Sequence, residues 1–301
     1  MKTILIFLLT LSFSFCAKKY QFKVASGFKE GTYYKIVESL KLISNFEIEN
    51  LSSEGSIDNL YKISDGKADV GLTQLDVYFN TSIGSPEVFD KVKILFPVYG
   101  EELHIVAQRK YEKLESLKGK KISIGDSESG TKITSLIFLS QLDINGQNTG
   151  LEEFNYTDSL SKLLKGELDA FILVAGAPVK VLAELEEDVK TKIQLLSVPD
   201  IQLKTVQGTG LVYKRTEIPS ATYSWEVKPV STLLIQSIFV GRTSLSKEEV
   251  KALIKEIWRS QEKLATRHEK WKSFNLRTLQ EHVNNNEKFF HPSVKEILKE
   301  L

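Results

Sequence analysis

The sequence predicts an α/β protein of two lobes with a cleft between them, and three observations carry that expectation. A strand–loop–helix unit occurs twice, about 100 residues apart. The first copy is Phe22-Lys23-Val24-Ala25, then the loop Ser26-Gly27-Phe28-Lys29-Glu30-Gly31-Thr32, then a helical pattern from Tyr33. The second is Ile122-Ser123-Ile124-Gly125, then Asp126-Ser127-Glu128-Ser129-Gly130-Thr131, then a helical pattern from Lys132. Each copy leads to a Gly-x-x-Asp turn before another apolar strand, Gly66 to Asp69 and Gly166 to Asp169. Strands and helices alternate along the chain, which implies mostly parallel sheets flanked by helices.

In chain order, Phe22 to Ala25 opens the first lobe as a strand. A helix follows from about Tyr33 to Ser44, with Ile36, Val37, Leu40 and Ile43 at helical spacing. Phe46 to Leu51 alternates as a strand. Ser56 to Ile63 is helical and stops at Asp65-Gly66. Ala68 to Leu72 is a short buried strand, with Gln74 and Asp76 just beyond it. Val92 to Val98 and His104 to Gln108 read as strands, the second crossing to the other lobe. That lobe continues through Leu114 to Leu117, a strand Lys121 to Gly125, a helix of about Ile133 to Leu142 and a polar turn Asn145 to Gly150. A helix Asp158 to Leu164, a strand Asp169 to Val174, a helix Val179 to Glu186 and a strand Gln194 to Val198 complete it. Lys204 to Tyr213 is expected to return to the first lobe. Ser231 to Val240 is strand-like, and Ser246-Lys247-Glu248-Glu249 is a capping box opening a helix to about Lys263. The expected division is residues 20–108 for the first lobe, 109–210 for the second, and 211–301 for the return with C-terminal helices.

Composition fits this plan. The chain has 301 residues, 42% hydrophobic and 26% charged, enough for two medium domains. Its net charge of +1 gives no argument for nucleic acid. Met1-Lys2-Thr3 and the apolar run Ile4 to Phe15 form a signal segment over residues 1–16, too short to span a bilayer comfortably. Export is therefore expected, with the rest of the chain soluble and monomeric. Cys16, the only cysteine, rules out an intrachain disulfide. It is expected to be the lipidated first residue of a bacterial lipoprotein, anchored to a membrane surface. The other reading is peptidase cleavage nearby, with Ser14 and Cys16 as the small residues of the cut site.

The two Gly-Thr loops are where chemistry is expected. Backbone N–H groups at a helix N-terminus have no intrahelical partner, and the helix dipole favours anions there. Gly27 and Gly31 let backbone approach a ligand, and Thr32 can cap the helix or donate its hydroxyl. Ser127 to Thr131 repeats the arrangement. In open α/β sheets ligands sit at the carboxyl ends of strands, where both loops, Gln74 and Gly176 would lie. Asp76 has two readings, an ammonium partner or a cap for the following helix. Neither loop is a dinucleotide or P-loop motif, and G-x-S-x-G is absent. The histidines (His104, His268, His282, His291) lack metal-ligand spacing. No catalytic set, metal or cofactor is expected.

Taken in order, these segments resemble the TAXI family, the extracytoplasmic solute receptors of TRAP-type transporters. The matching motifs are Gly31-Thr32-Tyr33-Tyr34, Ser56-Ile57-Asp58-Asn59-Leu60, Gly66 to Asp69, Gln74, and Tyr99-Gly100-Glu101-Glu102-Leu103-His104. Ser129-Gly130-Thr131, Asp169-Ala170-Phe171, Gly176-Ala177-Pro178 and His291-Pro292 continue the series. Phe28-Lys29-Glu30 stands where the family has small residues, and Glu128 and Ser293 each replace a glycine. The resemblance implies a two-lobed periplasmic-binding fold, type II-like, that closes on a small organic anion such as glutamate, glutamine or a dicarboxylate. It implies delivery of that carboxylate to a sodium-coupled TRAP permease. Carried over by motif, Ser26, Gly27, Thr32, Tyr33, Gln74, Ser129, Gly130, Thr131 and Gly176 would line the cleft. The alternative is a ligand sensor or surface lipoprotein of the same fold without a transporter.

Overall fold

A computed structural model describes residues 19–200 and 213–301; the expected signal segment, Cys16 and nearly all of the expected return at 204–213 lie outside the described residues. The first lobe opens with β1 (Tyr20–Ala25), α1 (Thr32–Leu40), β2 (Phe46–Leu51), α2 (Ser56–Ser64) and β3 (Val70–Gln74). α1 buries Ile36, Val37 and Leu40, the stripe read from the sequence. It stops at Leu40 because Leu42 and Ile43 donate to the carbonyls of Ser39 and Leu40, tightening the last turn into β2. Two helices then follow that the spacing of apolar residues does not announce, α3 (Leu75–Gly84) and α4 (Pro86–Lys91). α3 buries Asp76, Val77, Tyr78 and Phe79 in succession, so it shows no one-sided stripe.

The crossing strand β4 (Val92–Gln108) is one element of 17 residues, not the two separate strands expected. The intervening Gly100 and Glu101 keep their pairing, opposite Gln236 and Ile235. Gly100 is required there, since a Cβ would stand 2.6 Å from Leu234. The second lobe repeats the first: β5 (Lys121–Ser123), α5 (Gly130–Ser140), β6 (Gly150–Glu152), α6 (Tyr156–Leu164) and β7 (Ala170–Ala175). The expected helix Val179 to Glu186 shrinks to the single turn α7 (Lys180–Ala183), and a further unexpected turn, α8 (Glu187–Lys190), follows before β8 (Ile193–Leu195). β9 (Tyr213–Ile218) and β10 (Val230–Arg242) follow, then α9 (Lys247–Arg259), α10 (Gln261–Ala265), α11 (Leu276–Asn286) and α12 (Val294–Glu300). The capping box at Ser246 and Glu249 is formed in both directions.

Among the described residues the strands make a single curled sheet in the order β2-β1-β3-β10-β4-β7-β5-β6, with β8 on β4 and β9 on β10. Each lobe contributes three parallel strands, β2-β1-β3 and β6-β5-β7. The long antiparallel pair β4 and β10 joins them, with register shifts at Gln236/Ile238 and Phe239/Val240 where the sheet bends. The return to the first lobe is displaced from residue 211. Ile218, Tyr223, Trp225 and Val230 share a core with Leu163, Phe171, Leu182 and Leu195 of the second lobe. The chain crosses back inside β10, which pairs with β9 through Ile235 and with β3 from Ser237. Beyond it the C-terminal segment locks onto the first lobe: Trp271 is fully buried, and its indole N–H donates to Ser39 Oγ at 2.7 Å. Truncating such a residue costs about 3–5 kcal/mol.

Candidate functional site

Four helices from the two lobes start at one cavity of about 140 Å³. α1 and α2 reach it through Gly31, Thr32, Gly55 and Ser56; α5 and α6 reach it through Ser129, Gly130, Asn155 and Tyr156. The cavity lies beyond the carboxyl ends of β3 and β7, and β1, β2, β5 and β6 aim the helices that follow them at the same point. Helix N-termini carry partial positive charge. α1 and α5 have no acidic residue in the first turn, and Gly31 offers α1 no side-chain cap. Asp58 and Asp158 in the first turns of α2 and α6 are already engaged, by Lys62 and by the Asn155 amide.

Gly27, Thr32, Tyr33, Gln74, Ser129, Gly130 and Thr131 come together on this wall. Gly130 is where the lobes touch. A Cβ there would stand 1.5 Å from Gln74 Oε1 and 2.7 Å from Ser56 Oγ, so only glycine fits. Across the gap Gly55, at φ +130°, packs against Ser129. Ser129 caps α5: its hydroxyl donates to the Asp126 carbonyl at 2.7 Å and accepts from Lys132 N–H at 3.3 Å. Thr131 Oγ1 accepts from Val174 N–H at 3.2 Å, which leaves its proton for a ligand. Gln74 is almost wholly buried, and its Nε2 donates to Thr134 Oγ1 at 3.3 Å.

Two expected residues stand elsewhere. Ser26 does not reach the cavity: its hydroxyl donates to Asn50 Oδ1 at 2.7 Å and to the Leu51 carbonyl, tying β1 to β2. Gly176 lines an adjoining recess of about 590 Å³, beside Lys270, whose Nζ donates to the Ala177 carbonyl at 2.8 Å. Phe28 lines the cavity mouth and is 37% exposed; Glu128 is not among the lining residues. Asp76 is fully buried and does not line the cavity; its Oδ1 accepts from Val77 N–H at 2.9 Å in the first turn of α3. It accepts from Thr134 Oγ1 at 2.6 Å and Tyr213 Oη at 3.0 Å, clasping α5 to α3 behind the site. Burial pushes its carboxyl above the usual range, against those hydrogen bonds.

One lining residue that sequence reasoning did not single out is Glu101, on β4 between the lobes. Its Oε2 accepts from Tyr33 Oη at 2.7 Å and its Oε1 from Tyr99 Oη at 3.1 Å. Burial raises its pKa to about 8, with Asp76 and Glu102 adding repulsion against the two tyrosine hydrogen bonds. Its signal was the Tyr99 to His104 motif, which places two adjacent acids in the middle of the crossing strand. Among the described residues no group of histidine, cysteine or acid side chains could hold a metal ion. No helix among them is long and apolar enough to cross a membrane.

Residues 24–300 match the model of the NMT1-like family. The chain belongs to that family. Solved structures place this NMT1-like chain in the two-lobed periplasmic-binding fold. The alkanesulfonate-binding protein SsuA from Xanthomonas axonopodis pv. citri, bound to MOPS, is 13% identical over 94% of this chain and 84% of its own, with a TM-score of 0.50. The periplasmic aliphatic sulphonate binding protein SsuA from Escherichia coli is 14% identical over 93% and 82%, also at 0.50. The substrate binding protein of an amino acid ABC transporter is 11% identical over 84% of this chain and 99% of its own, again at 0.50. At such identities the likeness is one of fold.

Proposed function

We propose that this protein is an exported solute-binding receptor that clamps a small organic anion between its lobes and hands it to a membrane transporter. The observation that carries the reading is the convergence of four helix N-termini, two from each lobe, on one small cavity. No lysine, arginine or histidine among the described residues lines that cavity, so N–H groups and hydroxyls are the donors available to an anion. A ligand bonded to α1 on one side and α5 on the other favours the closed arrangement, because only closure brings both sets of donors together. The donor set suits a carboxylate, and also a sulfonate of the kind named for two proteins of like fold. The ordered motifs from Gly31-Thr32-Tyr33 to His291-Pro292 favour a TRAP-type permease as the acceptor, with Cys16 as a lipid anchor. The solved structures of like fold bring an ABC-type permease as the alternative.

Thermal unfolding of the purified protein against amino acids, dicarboxylates, 2-oxoacids and sulfonates tests the reading. A ligand at about 100 times its dissociation constant adds about 2.7 kcal/mol. A carboxylate that raises the midpoint, and fails to do so in Thr131→Val, supports it. A protein whose midpoint no organic anion moves is not this receptor.

A further inference from the structure

The cavity that gathers four helix N-termini is also lined by a buried acid. Glu101 is only 4% exposed, and no cationic side chain among the described residues lines the cavity with it. The charged groups around it are acids as well: Asp76 from α3 and Glu102 on its own strand. Lys270, whose Nζ lies 6.0 Å from the Tyr99 ring centroid, donates to the Ala177 carbonyl and interacts with Glu102. The other acids on the wall differ in kind; Glu54 is exposed and Asp126 half-buried at the edge. Tyr33 and Tyr99, their rings edge to face at 6.3 Å, each give Glu101 one hydroxyl. Two such hydrogen bonds hold the carboxyl in a fixed orientation and leave acceptor capacity on both oxygens.

A site that combines helix N-terminal donors with a buried, oriented carboxyl is matched to a ligand with two opposite charges. We infer that Glu101 binds an ammonium group and that the ligand of this cleft is an amino acid, not a dicarboxylate or a 2-oxoacid. The inference rests on the receptor reading and narrows it. Its chemistry has a proton balance. Burial without a cation keeps Glu101 protonated near neutral pH. An arriving ammonium group keeps all of its protons, Glu101 gives its own to solvent, and the product is an ion pair between the Glu101 carboxylate and the ligand ammonium. Binding at pH 7 then releases about one proton. A ligand with a second carboxylate in that position would do the reverse: it would accept a hydrogen bond from protonated Glu101 and bind worse as the pH rises.

Calorimetric titration of the whole protein in two buffers of different ionisation enthalpy decides between them, with L-glutamate, L-glutamine, 2-oxoglutarate, glutarate and propylammonium as probes. The expected result is tighter binding of the amino acids than of 2-oxoglutarate and glutarate, with about one proton released. Affinity should rise about tenfold per pH unit between about pH 6 and 7.5. Glu101→Gln, which keeps the shape and both tyrosine contacts, should erase the preference and the proton release. Tyr33→Phe should weaken amino acids while retaining a reduced pH dependence. Equal or tighter binding of 2-oxoglutarate, affinity falling with pH, or a preference that survives Glu101→Gln overturns the inference and leaves the receptor reading standing. Propylammonium binding that needs Glu101, with no carboxylate bound, retains the ammonium site and removes the anion receptor. Binding of none of the five removes both.

Discussion

The first lobe's β1–α1–β2–α2–β3 and the second lobe's β5–α5–β6–α6–β7 share one framework and differ in how they present it to the cavity. The shared part is detailed. Gly66 and Gly166 both adopt positive φ, +73° and +76°. The carbonyls of Lys62 and Lys162 each accept two N–H groups of the turn that follows. Asp69 donates its backbone N–H to the Lys23 carbonyl and caps the Lys23 N–H with its carboxylate at 2.8 Å; Asp169 does the same with Lys121 at 3.0 Å. The differences lie at the cleft. α1 begins uncapped after Gly31, whereas α5 is capped by Ser129. Asn59 in α2 bonds the Ser26 and Leu72 carbonyls, while Ser159 in α6 bonds the Ser123 hydroxyl. Positions that hold the turn are the same in both halves because the same backbone needs the same bonds. Around the cavity the two halves differ, so each lobe presents different groups to it.

The largest effect should come from Gly130, where the halves approach most closely among their glycines. Gly130→Ala puts a methyl into Gln74 and should abolish ligand-induced closure, a loss of about 3 kcal/mol in binding with the melting temperature of the unliganded protein little changed. Small-angle scattering with and without ligand would read it. Next come the paired aspartates. Asp69→Ala and Asp169→Ala should each destabilise by about 1–3 kcal/mol, because each leaves a strand-start N–H unpaired. Chemical denaturation of both variants tests the equivalence, and an effect confined to one lobe breaks it.

The pH dependence of stability separates two buried groups on β4. Burial raises Glu101 to about 8, so its favourable contribution is complete below the ordinary carboxylate range and is lost as pH rises toward 8. Burial lowers His104 to about 4, so its contribution is complete above the ordinary imidazole range and is lost as pH falls toward 4. Glu101→Gln should therefore remove the fall in stability that runs from about pH 4.5 to about 8, and leave the His104-dependent loss toward pH 4. The smallest effect is expected from capping: Ser129→Ala and Asn155→Ala should cost about 1 kcal/mol each, measured by thermal unfolding.

Much of this was legible in the sequence for a physical reason. The two Gly-Thr loops, the Gly-x-x-Asp turns and the stripe of α1 are local patterns, and each was read near its true place. Gly27, Thr32, Tyr33, Gln74 and Ser129 to Thr131 line one cavity because they sit at strand and helix ends. Three features depended on contacts far along the chain and were not readable. Ser26 turns inward because Asn50 is beside it on β2. The late return at β10 follows from Tyr223 and Trp225 packing under the second lobe. Glu101 gains its character from Tyr33, which lies 68 positions earlier.

The continuous strand pair β4 and β10 also has a consequence for how the protein is made. β3 finds one neighbour early, in β1, but its other edge is completed by the pairing of Leu72 with Phe239. A ribosome delivers the amino-terminal lobe long before that partner strand exists. Until then the lobe carries an open edge on a strand that the finished protein buries completely, and closing so long a loop is slow. The last third of the chain therefore acts as a timer: the first lobe cannot finish folding until synthesis is nearly over.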